Sequence, residues 1–292
     1  MPGFPCVLSV DVEDWFHILD SPGVPAMARW DTLESRVERN VDRLLEICQQ
    51  TGAKATFFWL GWLAERHRGL VRRCKRLGHE VASHGYAHVL AYQVGCKAFR
   101  QDVVRAKGIL EEITGERVAG FRAAGFGITD RSAWAFEEIR RAGHQYDSSI
   151  FPAARGHGGL PGSRLGCHVI HTRAGPLLEW PMPMVTLLGR RVHLFGGGYL
   201  RLSPKWLIRW GIGRLEASGQ PLVVYVHPRE IDPDHPRLPL RFTRRLKSYV
   251  RLGSTMPKLR WLCEHYDFRT MRDAADEIAP PPPASLRRGP VA

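Results

Sequence analysis

Segments typical of β-strands alternate with segments typical of α-helices about seven times along the chain, and this order constrains the fold more than any other feature. Strands are predicted at residues 6–10, 54–60, 79–83, 118–122, 144–150 and 222–227, with shorter ones at 177–180 and 191–195. Helices are predicted at residues 32–50, 62–77, 97–114, 129–142, 203–218, 242–252, 256–266 and 270–278. Such alternation predicts a mostly parallel α/β architecture, and a length of 292 residues suits either a barrel or a doubly wound sheet.

The middle and the end of the chain depart from this alternation. Residues 151–176 contain many Gly and Pro residues and little periodicity, so we predict an insertion around 151–200 within a single domain of residues 5–279. The proline-rich segment 280–292 is predicted to be a disordered tail. The chain contains no internal repeat, no G-x-G-x-x-G motif and no P-loop, which argues against a nucleotide-binding function.

The chain is basic, with 42 Lys and Arg residues against 29 Asp and Glu residues and a formal charge of +13. The basic residues are spread along the sequence, and the densest groups, 72–76 and 241–247, fall in predicted helices, where we interpret them as solvated faces. Neither group has the interleaved aromatic residues of a single-strand-binding groove, so no nucleic-acid partner is expected. The six Cys residues include no C-x-x-C pair, which argues against a cysteine zinc site.

The sequence shows no targeting or membrane-spanning signal. The N-terminus lacks the basic region and the long apolar region of a signal peptide. No apolar run approaches the ~20 residues that a bilayer-spanning helix needs. We therefore expect a cytoplasmic protein.

Two predicted strand ends carry side chains of the kinds that bind metals. The first strand is followed by Asp11, Glu13 and Asp14, of which Asp11 and Glu13 point to the same face if the chain stays extended. The third strand is followed by His84 and His88, whose spacing lets both imidazoles bind one metal ion. Two imidazoles and one carboxylate form a common open metal site, so we predict a metal centre here.

Two further strand ends carry polar groups that suit catalysis. Arg122 ends the fourth strand and is able to bind a carboxylate bidentately, and the small residues that follow, including Gly125, let backbone approach a ligand. His227 ends the apolar strand 222–227. A histidine in that position is usually a core residue, but the other groups expected at the same edge of the sheet favour a functional role.

Five motifs together resemble the polysaccharide deacetylase family, also called the NodB homology or carbohydrate esterase family 4 enzymes. The motifs are SVDVEDWFH, HEVASHGYAH, FRAAGFGIT, YDSSIFP and YVHPREIDP, and they span residues 9–234 in the family's order. The sequence is most similar to a branch associated with bacterial exopolysaccharide synthesis. The resemblance implies a distorted (β/α)7-type barrel and a divalent metal, usually zinc.

The resemblance also implies a role for each matching residue. The matches are Asp11 as catalytic base, Arg122 as the arginine that orients it, His227 as general acid, the backbone N–H of Gly125 as an oxyanion donor, and His84 and His88 as metal ligands. Asp147 matches the acid that pairs with the final histidine, and Glu179 is the alternative. The common motif has two adjacent aspartates, whereas Val12 follows Asp11 here, so the metal carboxylate is Glu13 or Asp14. We favour Glu13, because of strand alternation and of similarity to members with a D-x-D or D-x-E form.

The function implied is the removal of N-acetyl or O-acetyl groups from a polysaccharide or a lipid-linked oligosaccharide. The implied partners are an acetylated glycan and, at the periphery, a membrane-linked glycan assembly system. An allantoinase-like hydrolase of cyclic amides on the same fold is one alternative. A carbohydrate-binding or nucleic-acid-binding module without catalytic activity is another.

Overall fold

The computed structural model describes residues 4–19, 23–156 and 158–278 of the chain. The strands are β1 (Cys6–Val12), β2 (Ala55–Trp59), β3 (Glu80–Ser83), β4 (Gly120–Phe121), β5 (Tyr146–Asp147), β6 (His168–Thr172), β7 (Gly175–Glu179), β8 (Val185–Leu187), β9 (Arg190–Val192), β10 (Leu222–Val226) and β11 (Phe268–Arg269). The helices are α1 (Val37–Thr51), α2 (Gly61–Arg66), α3 (Arg68–Arg76), α4 (Ala91–Thr114), α5 (Ala135–Arg141), α6 (Gly197–Leu202), α7 (Lys205–Ala217), α8 (Phe242–Tyr249), α9 (Thr255–His265) and α10 (Met271–Ile278). The predicted tail at 280–292 lies outside the described residues.

One mostly parallel sheet organises these elements. Its strands follow the order β10-β1-β2-β3-β4-β5-β7-β6, and β11 pairs with β1. Every pairing in this sheet is parallel except that of β6 with β7. Strands β1 to β5 are neighbours in chain order, as in a barrel, whereas a doubly wound sheet reverses its order at a central strand.

The central strands are buried on both faces, as their apolar composition predicts. All seven residues of β1, all five of β2 and all five of β10 are buried. Helix α1 covers part of the sheet with the predicted stripe that includes Val41, Leu44 and Cys48, and it ends at Gly52 in the left-handed conformation. The strand ends at the carboxyl edge are therefore rigid supports for polar side chains.

The structure differs from the prediction in the middle of the chain. Residues 151–176 were expected to be irregular, but they include β6 and the start of β7, which form an antiparallel hairpin at the end of the sheet. Strand β6 has the sequence HVIHT and is at most half-buried, so it lacks the apolar run that marks a central strand. The domain boundaries at 5 and 279 stay a prediction. Among the described residues, no helix combines the length and apolar character that crossing a bilayer requires.

Candidate active site

The carboxyl ends of β1, β3, β4 and β10 bring the predicted residues to one edge of the sheet. A cavity of about 540 Å³ opens at this edge. Five of the predicted residues line it, namely Asp11, Glu13, His88, Gly125 and His227. The parallel pairing of β1 with both β2 and β10 explains this, because residues that follow neighbouring parallel strands emerge side by side.

Glu13, His84 and His88 form a buried cluster with the donor set of a metal site. One ligand atom from each residue lies within 4.8 Å of the other two. Oε1 of Glu13 is 3.2 Å from Nε2 of His84 and 2.9 Å from Nε2 of His88. Nε2 of His88 is buried and has no hydrogen-bond partner among the described residues. Three donor atoms that converge in a buried position, one of them without a hydrogen-bond partner, fit a divalent cation between them.

The protonation states also suit a metal. Nδ1 of His84 donates a hydrogen bond to the backbone carbonyl of Arg122 at 2.8 Å, which leaves Nε2 as the lone-pair donor toward Glu13. Burial alone would raise the pKa of Glu13, but the charges of His88 and His227 outweigh it and hold the pKa well below its ordinary value. Glu13 is therefore an ionised carboxylate in this site.

The loop from His84 to His88 is shaped by a carboxylate behind it. Asp102 of α4 accepts hydrogen bonds from the backbone N–H groups of Tyr86 at 2.7 Å and Ala87 at 2.9 Å. Gly85 adopts a φ of +76°, and a Cβ atom there would lie 2.6 Å from the Asp102 carboxylate. His88 itself has a φ of 54°, a conformation that costs energy for a residue with a side chain. The fold thus holds the second histidine in a strained position.

The structure separates the two candidates for the metal carboxylate. Asp14 is engaged elsewhere, since its carboxylate accepts hydrogen bonds from the backbone of Trp15 and Arg36 and from the hydroxyl of Ser35. Burial raises the pKa of Asp14, in contrast to that of Glu13. Among the described residues, Glu13 joins the histidines and Asp14 does not.

Asp11 is held by a fully buried arginine. Nη1 of Arg122 donates to Oδ1 of Asp11 at 2.6 Å and to the hydroxyl of Ser9 at 2.9 Å. The same guanidinium donates to the carbonyl of Ser148 at 3.2 Å and to its hydroxyl at 3.0 Å, so it cannot swing away. The other carboxylate oxygen, Oδ2, lies 3.9 Å from Nε2 of His227. Asp11 therefore faces His227 and the Glu13–His84–His88 cluster with a fixed orientation.

The acid that pairs with His227 is Glu230, and the prediction of Asp147 or Glu179 is wrong. Oε2 of Glu230 lies 3.2 Å from Nδ1 of His227 and accepts its backbone N–H at 3.0 Å. Burial alone would lower the pKa of His227, but Glu13 and Glu230 outweigh it and hold the pKa above its ordinary value. Glu230 is in turn bound by Arg201 at 2.8 Å, with both side chains buried.

Asp147 instead lies opposite Glu179 in the pairing of β5 with β7. Burial and the adjacent Asp147 raise the pKa of Glu179 well above its ordinary value, so this carboxyl pair retains a proton. Asp147 accepts the hydroxyl of Ser149 at 2.6 Å, and Ser149 accepts the backbone N–H of Ala123 at 2.8 Å. The pair thus supports the loop that leads to Gly125, which has a φ of +59° and lines the cavity.

Two family models match consecutive parts of the chain. Residues 26–146 match a model described as polysaccharide deacetylase, and residues 148–276 match a domain of unknown function, DUF3473. The resemblance that the motifs predict is therefore confirmed over residues 26–146, which match the polysaccharide deacetylase family. Asp11 and Glu13 precede the first match, and His227 lies within the second.

The curated relatives match shorter stretches. Two proteins of Bacillus cereus are both named peptidoglycan-N-acetylglucosamine deacetylase. One is 29% identical over 103 residues, which are 35% of this chain and 46% of that protein. The other is 32% identical over 73 residues, which are 25% of this chain and 26% of that protein. The matched regions thus span less than half of either relative.

Solved structures match nearly the whole chain. A candidate polysaccharide deacetylase from Mycobacterium smegmatis has a TM-score of 0.61 at 19% identity, over 95% of this chain and 92% of that one. An allantoinase has a TM-score of 0.59 at 19% identity, over 94% and 91%. A family 4 pseudoenzyme from Bacillus anthracis has a TM-score of 0.50 at 14% identity, over 95% and 67%. The likeness confirms the predicted NodB-like (β/α)7-type fold, and the activity has to be argued from the site.

Proposed function

We propose that this protein is a metal-dependent hydrolase that removes acetyl groups, N-linked or O-linked, from a polysaccharide or a lipid-linked oligosaccharide. One observation carries the proposal. The Glu13–His84–His88 cluster, the Asp11–Arg122 pair and the His227–Glu230 pair converge at one edge of the sheet, where Asp11, Glu13 and His227 line the same cavity. These groups supply a metal site, a base and an acid for hydrolysis of an amide or an ester.

Glu13, His84 and His88 would hold the metal, which we propose is zinc. A divalent ion at such a site supplies Lewis acidity toward a carbonyl oxygen and activates water. Asp11 accepts the proton of the attacking water, because Arg122 holds its carboxylate toward the cavity. The backbone N–H of Gly125 stabilises the oxyanion that develops on the acetyl group.

His227 supplies the proton that the leaving group needs. Its pKa is held above the ordinary value by Glu13 and Glu230, so a larger share of the imidazole is protonated near neutral pH. Nδ1 is anchored on Glu230, which leaves Nε2 to face Asp11 and Glu13 across the cavity edge. Protonation of the leaving nitrogen or oxygen by Nε2 releases the deacetylated sugar, and acetate is the second product.

The names of the relatives support a glycan substrate, because both Bacillus cereus proteins are named for acetylglucosamine deacetylation. We further propose a place in exopolysaccharide biosynthesis, with peripheral contact to a membrane-linked glycan assembly system. The proposed place in exopolysaccharide biosynthesis rests only on the resemblance of the sequence motifs to that branch of the family.

The test is acetate release from acetylated oligosaccharides by the purified chain, with and without a chelator. We expect activity that a chelator removes and that added zinc restores, with near-complete loss in Asp11→Asn and His84→Ala. The matched control is His171→Ala, an exposed histidine of β6 that should leave the rate unchanged. Full activity in either site variant would contradict the assignment.

The allantoinase likeness provides the second candidate, a hydrolase of small cyclic amides on the same fold. The same protein preparation is therefore offered allantoin in a parallel assay. Turnover of allantoin without acetate release would favour this candidate. Bound metal without turnover of either substrate would favour a binding module.

A further inference from the structure

The net positive charge of the chain is concentrated in two segments that flank β10. Residues 180–215 and 235–263 together contain 14 Lys or Arg residues and no Asp or Glu. The remainder of the chain contains 28 Lys or Arg residues against 29 acids, so these two segments account for the whole excess. Their helices are α6 and α7 in the first segment and α8 and α9 in the second.

The same two segments expose large apolar side chains. We define the rim patch as Leu202, Trp206, Phe242 and Leu246, whose exposed fractions are 54%, 70%, 78% and 55%. Phe242 and Leu246 are one turn apart on α8 and therefore share a face. Exposed apolar residues scattered singly are ordinary, but Leu202 and the face of Phe242 and Leu246 lie on two helices that hydrogen-bond to each other, which indicates a binding surface.

The rim patch lies beside the opening of the active-site cavity. Leu202 of α6 and Lys247 of α8 both line this cavity and are exposed, so the cavity opens between these helices. A guanidinium N–H of Arg201 donates to the backbone carbonyl of Lys247 at 2.7 Å, which ties the two helices together. Trp206 follows Leu202 in the first turn of α7.

Basic side chains surround the apolar ones. Helix α7 exposes Lys205, Arg209 and Arg214. Helix α8, with the residue before it, exposes Arg241, Arg245 and Lys247. Exposed aromatic and leucine side chains with Lys and Arg beside them are the composition of surfaces that insert shallowly into anionic membranes. The apolar groups enter the headgroup region, and the basic groups bind lipid phosphates.

A second copy of the chain does not suit this surface. A two-fold contact would place the same patch on both partners and bring two basic surfaces together. That repulsion disfavours self-association, whereas an anionic lipid surface complements both the charge and the apolar groups. We propose that the rim patch docks the protein on the surface of a bilayer with anionic headgroups, with the cavity opening at the interface.

The test is flotation of the full chain with phosphatidylcholine vesicles, with and without phosphatidylglycerol. We expect binding that requires phosphatidylglycerol and weakens at high salt. The variant Phe242→Ser/Leu246→Ser should bind at least about tenfold more weakly, because two apolar side chains no longer leave water. The matched control is Val104→Ser, an exposed apolar residue of α4 that should leave binding unchanged.

Charge-reversal variants distinguish the contribution of this surface to vesicle binding from that of the net charge of the protein. Arg241→Glu/Arg245→Glu should abolish binding, whereas Arg76→Glu/Arg131→Glu changes the net charge equally at two other exposed sites and should reduce it only slightly. Equal loss in the two variants, or no binding of the unaltered chain, would overturn the proposal. So would a dimer in sedimentation analysis that Phe242→Ser/Leu246→Ser dissociates, or tighter binding of single-stranded DNA than of vesicles. Unchanged thermal unfolding of each variant shows that the fold is intact.

Discussion

Replacing Glu230 with Gln tests the acid half of the site, because two cationic side chains depend on this carboxylate. Arg201 is 1% exposed, and Glu230 is its only carboxylate partner among the described residues. Burial alone would raise the pKa of Glu230, but Arg201 and His227 outweigh it and lower the pKa from 4.5 to about 2. A shift of that size corresponds to about 3 kcal/mol of stability. This value agrees with the roughly 3–5 kcal/mol of folding stability lost when one partner of a buried ion pair is removed.

The pH dependence of this contribution has a definite sign. A depressed carboxyl pKa stabilises the folded state above the unfolded value of 4.5, and the contribution disappears as the pH falls toward about 2. Glu230→Gln should therefore lower the free energy of unfolding at pH 7 and flatten its pH dependence between pH 4.5 and about 2. In the same variant the pKa of His227 should fall, so the alkaline limb of the rate profile moves to lower pH. We expect kcat at neutral pH to fall about a hundredfold.

The control is the double variant Glu230→Gln/Arg201→Met, which also removes the uncompensated charge. Urea unfolding should show most of the lost stability restored, since an apolar replacement of a buried pair is often neutral. Acetate release should stay low, because His227 still lacks its carboxylate. Recovery of the rate in the double variant, or urea unfolding of Glu230→Gln at the wild-type midpoint, would refute the reasoning.

Three further changes have defined outcomes. Gly85→Ala places a methyl group 2.6 Å from the Asp102 carboxylate and should weaken zinc binding, measured by calorimetry, by about 10- to 100-fold. Arg122→Lys keeps the charge but cannot reproduce the forked hydrogen bonds to Asp11 and its neighbours, so acetate release should fall at least about a hundredfold with metal content unchanged. His144 is fully buried, and burial followed by the charge of Lys107 lowers its pKa from 6.5 to about 3. Stability is therefore lost as pH falls below 6.5, and His144→Asn should remove about 2 kcal/mol of the difference between pH 7 and pH 5 in urea unfolding.

The parts of the site that were predictable depend on local sequence. Alternation along an extended strand places Asp11 and Glu13 on one face. The spacing of His84 and His88 indicates that they lie close together, although the structure achieves this with positive φ angles at Gly85 and His88 and not with a helical turn. Their convergence follows from parallel pairing, because residues after neighbouring strands meet at one edge. The choice of Glu13 over Asp14 was predicted on the same grounds, and the structure groups Glu13 with the histidines.

The partner of His227 was missed although its signal is local. Glu230 stands three residues after His227, and the pair forms reciprocal side-chain and backbone contacts around the short 3-10 helix Pro228–Ile231. Asp147 was preferred because the motif resemblance pointed to it. Its actual neighbour Glu179 depends on the register of β5 with β7, a contact between strands that sequence spacing does not determine.

The basic surface around α6 and α8 was also not predicted from the sequence, for a different reason. The basic residues are indeed spread along the chain, and counting them alone suggests no focus. The absence of acids is what distinguishes residues 180–215 and 235–263. That pattern becomes a surface only when the fold places α6 beside α8, which no local signal predicts.

Arg122 contributes to both halves of the proposed catalytic centre through different atoms. Its backbone carbonyl fixes the ring of His84, and its guanidinium fixes the carboxylate of Asp11. A displacement of this one residue would therefore misalign the proposed metal ligand His84 and the proposed base Asp11 together. Re-engineering of the site for another metal ion is constrained accordingly, because a new coordination distance at His84 has to be reached without moving the backbone of Arg122.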